Sequence, residues 1–422
     1  MPHTVPDVPC TVCGCVCDDL EVTVDGDRVT AARNACRLAE PWLLDAGRSR
    51  PPVARIDGRE VTLDAAIDRA AAILRQSRSP LVYGLSRSNT DGQRAALALA
   101  ERLGATVDTT AARGHAPSIV ALQESGESTC TLGEVRNRAD LVLFWGSDPV
   151  DSHPRHLERY SADPAGLFCP RGRADRHLVV VDVRPTATAA RANQLIQVQP
   201  GRDFELLWAL RGLTRGIDPG DDPVAGVPAG QVRDLATRMM HCRFGIVFFG
   251  LGLARSGTRT VEALLRLGID LNRHARFYIR RMRLSGDVAG ADSVLAWQTG
   301  FPFAVNLARP WPRYNPDEFT GPDMLVRGEV DACLLVGSRG VRRFEPAARA
   351  ALAAIPSIAL DGPDAEPIVD TTVRITTATP GLHLGGTVYR MDEVPISLRP
   401  MLPTAYPSDA TVLDALLARL VR

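Results

Sequence analysis

Cys10, Cys13 and Cys17, followed by Cys36, are the residues of this chain best suited to chemistry. Three thiols packed into one short loop, with a fourth from further along, form the donor pattern that wraps a cubane [4Fe–4S] cluster. Short spacers let three sulfurs converge while the backbone between them donates hydrogen bonds to the cluster. A tetrahedral zinc site usually takes two C-x-x-C knuckles, and only one is present, although Cys15 offers a substitute thiol. A bound cluster, an empty or vestigial nest, and zinc all remain open at this point. Cys130, Cys169, Cys242 and Cys333 are scattered and are expected as small buried hydrophobes.

The second candidate is Ala112-Arg113-Gly114-His115-Ala116-Pro117-Ser118, which by itself reads as a loop holding a structural histidine. His153 and His156 are spaced like neighbours on one helix face, but Arg155 lies between them and no third ligand is near, so metal binding is not expected there.

These residues need elements to position them. Residues 18–33 alternate around Asp25-Gly26 and predict a β-hairpin directly after the first three cysteines. From Thr62 onward, Leu63, Ala66, Ile67, Ala70, Ile73 and Leu74 recur at helical spacing. Short apolar runs at 80–84, 141–146, 178–182, 245–250, 332–337 and 358–361, separated by helical patterns, predict parallel sheets covered on both faces. Several of these runs end in Gly or Asp, where such sheets bind ligands. The fold class is therefore α/β, with several Rossmann-like domains and a small β-rich cap. The expected division is a cap over 1–55 joined by about 298–322, a discontinuous α/β domain over 56–135 and 323–422, and a second α/β domain over 136–297.

Composition excludes several functions. Formal net charge is zero, so there is no electrostatic footprint for nucleic acid or an anionic membrane. No lysine occurs, which excludes a Walker-A phosphate loop and a Schiff-base nucleophile. No apolar run approaches the ~20 residues that cross a bilayer, and no basic-then-apolar leader opens the chain. A cytoplasmic location with reduced thiols is the expectation.

Residues 112–118 resemble the Cys-His-Gly-Pro-Ser segment of the molybdenum and tungsten bis(pterin) oxidoreductases, the formate dehydrogenase group. Residues 147–154 resemble that group's pterin-contacting loop, residues 182–189 its Asp-Pro-Arg-x-Thr-x-Thr-Ala strand end, and Met282-Arg283 its active-site Met-Arg-Gly. Within the group the chain is most similar to the B subunits of formylmethanofuran dehydrogenase, through residues 17–19, 133–140, 153–156, 299–305, 312–316, 327–332 and 386–391. The resemblance implies the molybdopterin-oxidoreductase fold without its C-terminal pterin-binding barrel. It also implies a cluster on Cys10, Cys13, Cys17 and Cys36.

The departures from the family pattern matter as much. The metal-ligating Cys or selenocysteine falls on Gly114, while His115 and Arg283 remain. Asp148 replaces an amide in the pterin loop, beside Ser152, His153, Asp182 and Arg184. The resemblance thus implies a relic site without Mo/W-bis(pterin), like that of B subunits in bacterial formyltransferase/hydrolase complexes. Such a chain would be a non-catalytic member of a hetero-oligomer with amidohydrolase-type A, C and formyltransferase-type D subunits. That complex serves tetrahydromethanopterin/methanofuran-dependent oxidation of formaldehyde to formate. The alternative is the catalytic B subunit of an active Mo/W formylmethanofuran dehydrogenase.

Overall fold

The computed structural model describes all residues except Ser285 and Arg422, and the side chains of Arg113 and Val421 are left aside. The chain divides into two compact units, Met1–Arg113 with Ser285–Arg422, and Gly114–Leu284.

The first unit is built on a nine-stranded sheet. Its five central strands are parallel, in the spatial order Thr106–Thr109, Pro80–Gly84, Ala332–Val336, Ser357–Asp361, Val373–Thr376. Numbered along the chain this is the order 2-1-3-4-5, which reverses once, between Pro80–Gly84 and Ala332–Val336. Open sheets of this kind leave a ligand crevice at the reversal, beyond the carboxyl ends of the strands. The helices Leu63–Gln76 and Thr90–Leu103 start on Thr62 and Asn89, whose side chains accept from the backbone N–H groups of Ala65 and Gly92. Both bury Ala and Leu/Ile stripes against the sheet. The expected hairpin is present as Leu20–Asp25 paired with Arg28–Arg33, and His3–Val8 adds a third antiparallel strand.

The second unit has a five-stranded parallel sheet in the order Gln194–Gln197, His177–Asp182, Leu141–Trp145, Phe244–Phe249, Arg276–Arg281. Along the chain this is 3-2-1-4-5, with its reversal between Leu141–Trp145 and Phe244–Phe249. These two strands are buried throughout, as expected of a parallel sheet covered on both faces.

The division differs from the expected one in two places. Residues 298–322 do not join the N-terminal hairpin: Val305–Asn306 and Arg313–Tyr314 extend the nine-stranded sheet at its Thr106–Thr109 edge. The buried Asp108 carboxylate holds the segment there by accepting from Ala304 N–H at 3.2 Å and Gly321 N–H at 2.8 Å. The boundaries also fall earlier than 135 and 297. The helix Val288–Thr299 puts Ala291 and Leu295 into the core of the first unit, and the helix Ala112–Ser125 puts Ala121 into the core of the second. The segment read as a loop, 112–118, is the first half of that second helix. Pro117 is accommodated near the start, where the backbone loses one intrahelical bond, and Ser118 Oγ donates to the His115 carbonyl at 2.7 Å.

Candidate functional site

The cysteine loop is buried: Cys10, Cys13, Cys15 and Cys17 are all under 9% exposed, and Cys36 is partly buried. None of the nine cysteines is in a disulfide. The loop is shaped by its backbone, with Cys10 N–H donating to the Cys17 carbonyl at 2.8 Å and Met391 N–H to that of Gly14 at 2.8 Å. Val16 lies at φ +38°, a costly conformation for a β-branched residue. Its side chain is held in a small apolar cluster with Val388, Leu398 and Ile396, so packing offsets the strain. Burial pushes the Cys10 thiol well above its ordinary range, and the neighbouring Cys13, Cys17 and Cys36 sulfurs push it further in the same direction. The donor chemistry suits a soft metal or an iron–sulfur cluster. Among the described residues, no three Cys, His, Asp or Glu side chains stand together as a ready ligand set. Of the scattered cysteines, Cys130, Cys169 and Cys333 are buried as expected, and Cys242 is partly so.

The second site lies at the carboxyl ends of the second unit's strands. Gly114 and His115 begin the helix Ala112–Ser125, residues 148–153 follow Leu141–Trp145, residues 182–189 end His177–Asp182, and Arg283 follows Arg276–Arg281. A Cβ built on Gly114 meets only the Leu251 Cδ2 methyl, at 3.1 Å. The position therefore has space for a side chain once that methyl shifts slightly, yet it supplies no donor. His153 is fully buried, with Nε2 donating to the Arg283 carbonyl at 2.7 Å and Nδ1 lying 2.9 Å from Ser152 Oγ. Burial pulls His153 down to about 4, opposed by the bond to Arg283. His156 is lowered too, by burial and then by His153, and it packs edge-on against Phe144 and Phe248. Burial thus favours the neutral form of both histidines.

Asp148 does something its sequence position did not announce. Its carboxylate accepts from Thr188 N–H at 3.0 Å, Thr188 Oγ1–H at 2.5 Å and Ala187 N–H at 3.1 Å. Consecutive backbone N–H groups of this kind form an anion-binding nest, and here the chain's own carboxylate fills it. Asp182 is raised by burial, while Arg184 is exposed. At the strand-order reversal of this unit, Gly252 N–H donates to the Gly146 carbonyl at 3.0 Å and Gly250 N–H to that of Trp145 at 3.0 Å. Gly146 sits at φ +54°, and a Cβ there would stand 2.5 Å from Leu253 N. Backbone packs directly on backbone.

No family model matches the chain. It is 38% identical, over 99% of both chains, to the B subunit of the tungsten-containing formylmethanofuran dehydrogenase 2 of Methanocaldococcus jannaschii. The chain belongs to the family of formylmethanofuran dehydrogenase B subunits. It is 25% identical over 55% of its length to formate dehydrogenase H of Escherichia coli, which covers 38% of that protein. Among solved structures it resembles a chain of the formyltransferase/hydrolase complex FhcABCD of Methylorubrum extorquens, crystallised with methylofuran, with a TM-score of 0.73 and 26% identity over 87% of this chain and 98% of that one. The fold is thus the mixed α/β fold of the molybdopterin oxidoreductases. Gly114 itself offers no donor atom, and the nest formed by the Ala187 and Thr188 N–H groups is filled by Asp148.

Sequence reasoning missed one feature. In the first unit, Ser86-Arg87-Ser88 and Gly337-Ser338-Arg339 line a cavity of about 390 Å³ at the strand-order reversal. The signal was available, since both segments directly follow buried apolar strands, one ending in Gly84 and the other followed by Gly337.

Among the described residues, no helix is long and apolar enough to cross a membrane.

Proposed function

We propose that the chain is a non-catalytic, redox-degenerate B subunit of a formyltransferase/hydrolase-type complex in tetrahydromethanopterin- and methanofuran-dependent one-carbon metabolism. Gly114 carries this reading, because a metal without a protein ligand loses both its anchor and its electronic tuning. In this reading His115 and Arg283 are relics held by packing and hydrogen bonds, and Asp148, Ser152, His153, Asp182 and Arg184 form a relic pterin loop. The chain acts as a scaffold in the cytoplasm, beside amidohydrolase-type A, C and formyltransferase-type D subunits. Its cysteine nest, Cys10, Cys13, Cys17 and Cys36, holds at most a [4Fe–4S] cluster of structural value, since metal binding adds to folding free energy. Likeness to a chain of the FhcABCD complex supports the assembly.

A second reading is the catalytic B subunit of an active Mo/W formylmethanofuran dehydrogenase. The 38% identity to the B subunit of a tungsten-containing enzyme, over 99% of both chains, favours it. Gly114→Cys in the purified complex separates the two. The variant should fold, with a stability change of about 1 kcal/mol or less, because the added side chain meets one flexible methyl. It should show no viologen-linked oxidation of formylmethanofuran or formate. Activity in that single variant would overturn the relic reading, and activity in the unaltered complex would establish the second.

A further inference from the structure

Residues 165–169 form a tight turn at the amino ends of the second unit's strands, the pole of that sheet away from Gly114. Gly166 and Cys169 close the turn, each N–H donating to the other's carbonyl, at 3.0 and 3.1 Å. Phe168 N–H donates to the Asn137 carbonyl at 2.8 Å, and Leu167 N–H to Asn137 Oδ1 at 3.2 Å. Arg243, which directly precedes the strand Phe244–Phe249, donates to the Phe168 carbonyl at 3.3 Å. Gly166 packs so closely on its neighbour that a Cβ there would collide with the Arg136 carbonyl. The two side chains at the tip nevertheless stand out: Leu167 is 76% exposed and Phe168 46%. Apolar side chains scattered singly over a surface are ordinary. Two adjacent ones, on a turn whose backbone bonds are already made, form a rigid anchor.

The charge around this tip is uneven. Arg138 lies over the Phe168 ring, its Cζ 4.8 Å from the centroid. The carboxylates nearby are committed elsewhere. Asp140 accepts from Arg243 Nε–H and from the Arg243 and Phe244 N–H groups, and Asp175 accepts from Arg171. Glu134, one turn before Arg138, accepts from Thr131 N–H and so caps its own helix. Among the described residues, the Arg136 and Arg138 side chains meet no carboxylate. Protein interfaces are enriched in Phe and Arg, and an anchor that is rigid beforehand loses little freedom on binding. The complementary surface is an apolar socket with negative charge on its rim.

We propose that the turn at 165–169 docks another protein subunit, which receives Leu167 and Phe168 in an apolar socket rimmed by Asp or Glu. The proposal rests on the chain assembling with other subunits, which both readings above share, and not on the role of Gly114. Metal content decides the latter, so the two can fail separately.

The test places p-benzoylphenylalanine at position 167 in the purified complex and maps the photo-crosslinked peptide by mass spectrometry. An adduct is expected on one segment of a different subunit, and that segment should carry Asp or Glu. Leu167→Asp and Arg136→Glu alter exposed side chains, so both should fold. On dilution of the complex, each should raise the dissociation constant of the linked subunit about tenfold. The loss in Arg136→Glu should shrink between about 0.1 M and about 0.5 M salt, as charges are screened. No adduct, an adduct only to a second copy of this chain, a linked segment without carboxylates, or unchanged association in either variant would overturn the proposal.

Discussion

Between Pro80–Gly84 and Ala332–Val336 the first unit leaves a crevice of about 390 Å³, lined by Arg87, Arg339 and Arg342, the last of them paired with Glu366. Between Leu141–Trp145 and Phe244–Phe249, at the same topological position in the second unit, the loops after the strands are tied to each other through the backbone. There Gly252 and Gly250 donate to the backbone at Gly146 and Trp145, and Asp148 occupies the nearby nest. The same rule of sheet topology therefore has two outcomes in one chain. Both reversals bring backbone onto backbone, Gly84 and Leu85 against Val336 in the first unit and Gly250 and Gly252 against Trp145 and Gly146 in the second; what differs lies just beyond, Arg87 and Arg339 in one and Asp148 in the other. Topology says where a ligand can bind, and the strand-end residues decide whether one does.

The comparison breaks most readily at the tied loops. A side chain at Gly252 would place its Cβ 2.7 Å from the Gly146 carbonyl oxygen and 2.8 Å from its Cα, both backbone atoms that cannot turn aside. Gly252→Val should therefore destabilise the second unit by roughly 3 kcal/mol or more. Urea unfolding followed by hydrogen exchange should show the loss in residues 114–284, and a loss under 1 kcal/mol (roughly the overpacking minimum) would mean that the loops are not tightly tied.

Emptying the filled nest is a gentler change. Asp148→Ala leaves the Ala187 and Thr188 N–H groups and the Thr188 hydroxyl without their acceptor, at a cost of about 1–3 kcal/mol. Asp148→Asn retains an acceptor and should lose less. If Asp148→Ala unfolds at the same urea concentration as the unaltered chain, the carboxylate is not what fills the nest.

The smallest effect, and the one that sharpens the contrast between units, is with pH. Buried Asp108 in the first unit is raised from 3.8 to about 7, chiefly by burial. Its folded pKa exceeds the unfolded one, so its contribution is fully present below pH 3.8 and is lost as pH rises through 7. His153 in the second unit is lowered from 6.5 to about 4. Its contribution is present above pH 6.5 and is lost as pH falls through 4. Between about pH 5 and about pH 8, hydrogen-exchange protection should change in opposite senses, the Asp108 contribution falling in the first unit and the His153 contribution rising in the second. Asp108→Asn should reduce the pH response of the first unit, where Asp287, Asp361 and Asp409 are also raised by burial, and leave that of the second unchanged. An identical pH response in both units would contradict the burial assigned to these two groups.

Much of this architecture was legible from residue pattern. The Leu63–Gln76 helix and the buried strands announce themselves because their apolar period matches the side of the sheet they cover. The division into units was not legible to the same degree. The helix Val288–Thr299 is apolar on most of its surface, so no stripe shows which core it joins. The Gly114–Pro117 stretch carries two residues that ordinarily break helices, yet packing of Ala121 in the second core holds it helical. At the candidate site, types and spacings pointed to the cysteines, and the family resemblance pointed to Gly114 and Arg283. They could not reveal that Asp148 bonds residues 187 and 188, because that contact is made across the sheet and not along the chain. Arg87 escaped notice for a related reason: one arginine after a strand looks ordinary until the fold sets Arg339 beside it in the same cavity.

Molybdenum and tungsten content per chain, measured on the anaerobically purified complex together with iron and an EPR spectrum, tests the central claim most directly. The account expects neither Mo nor W, with iron absent or at the level of a single cubane cluster. Stoichiometric Mo or W would contradict it and make Gly114 part of a working redox site.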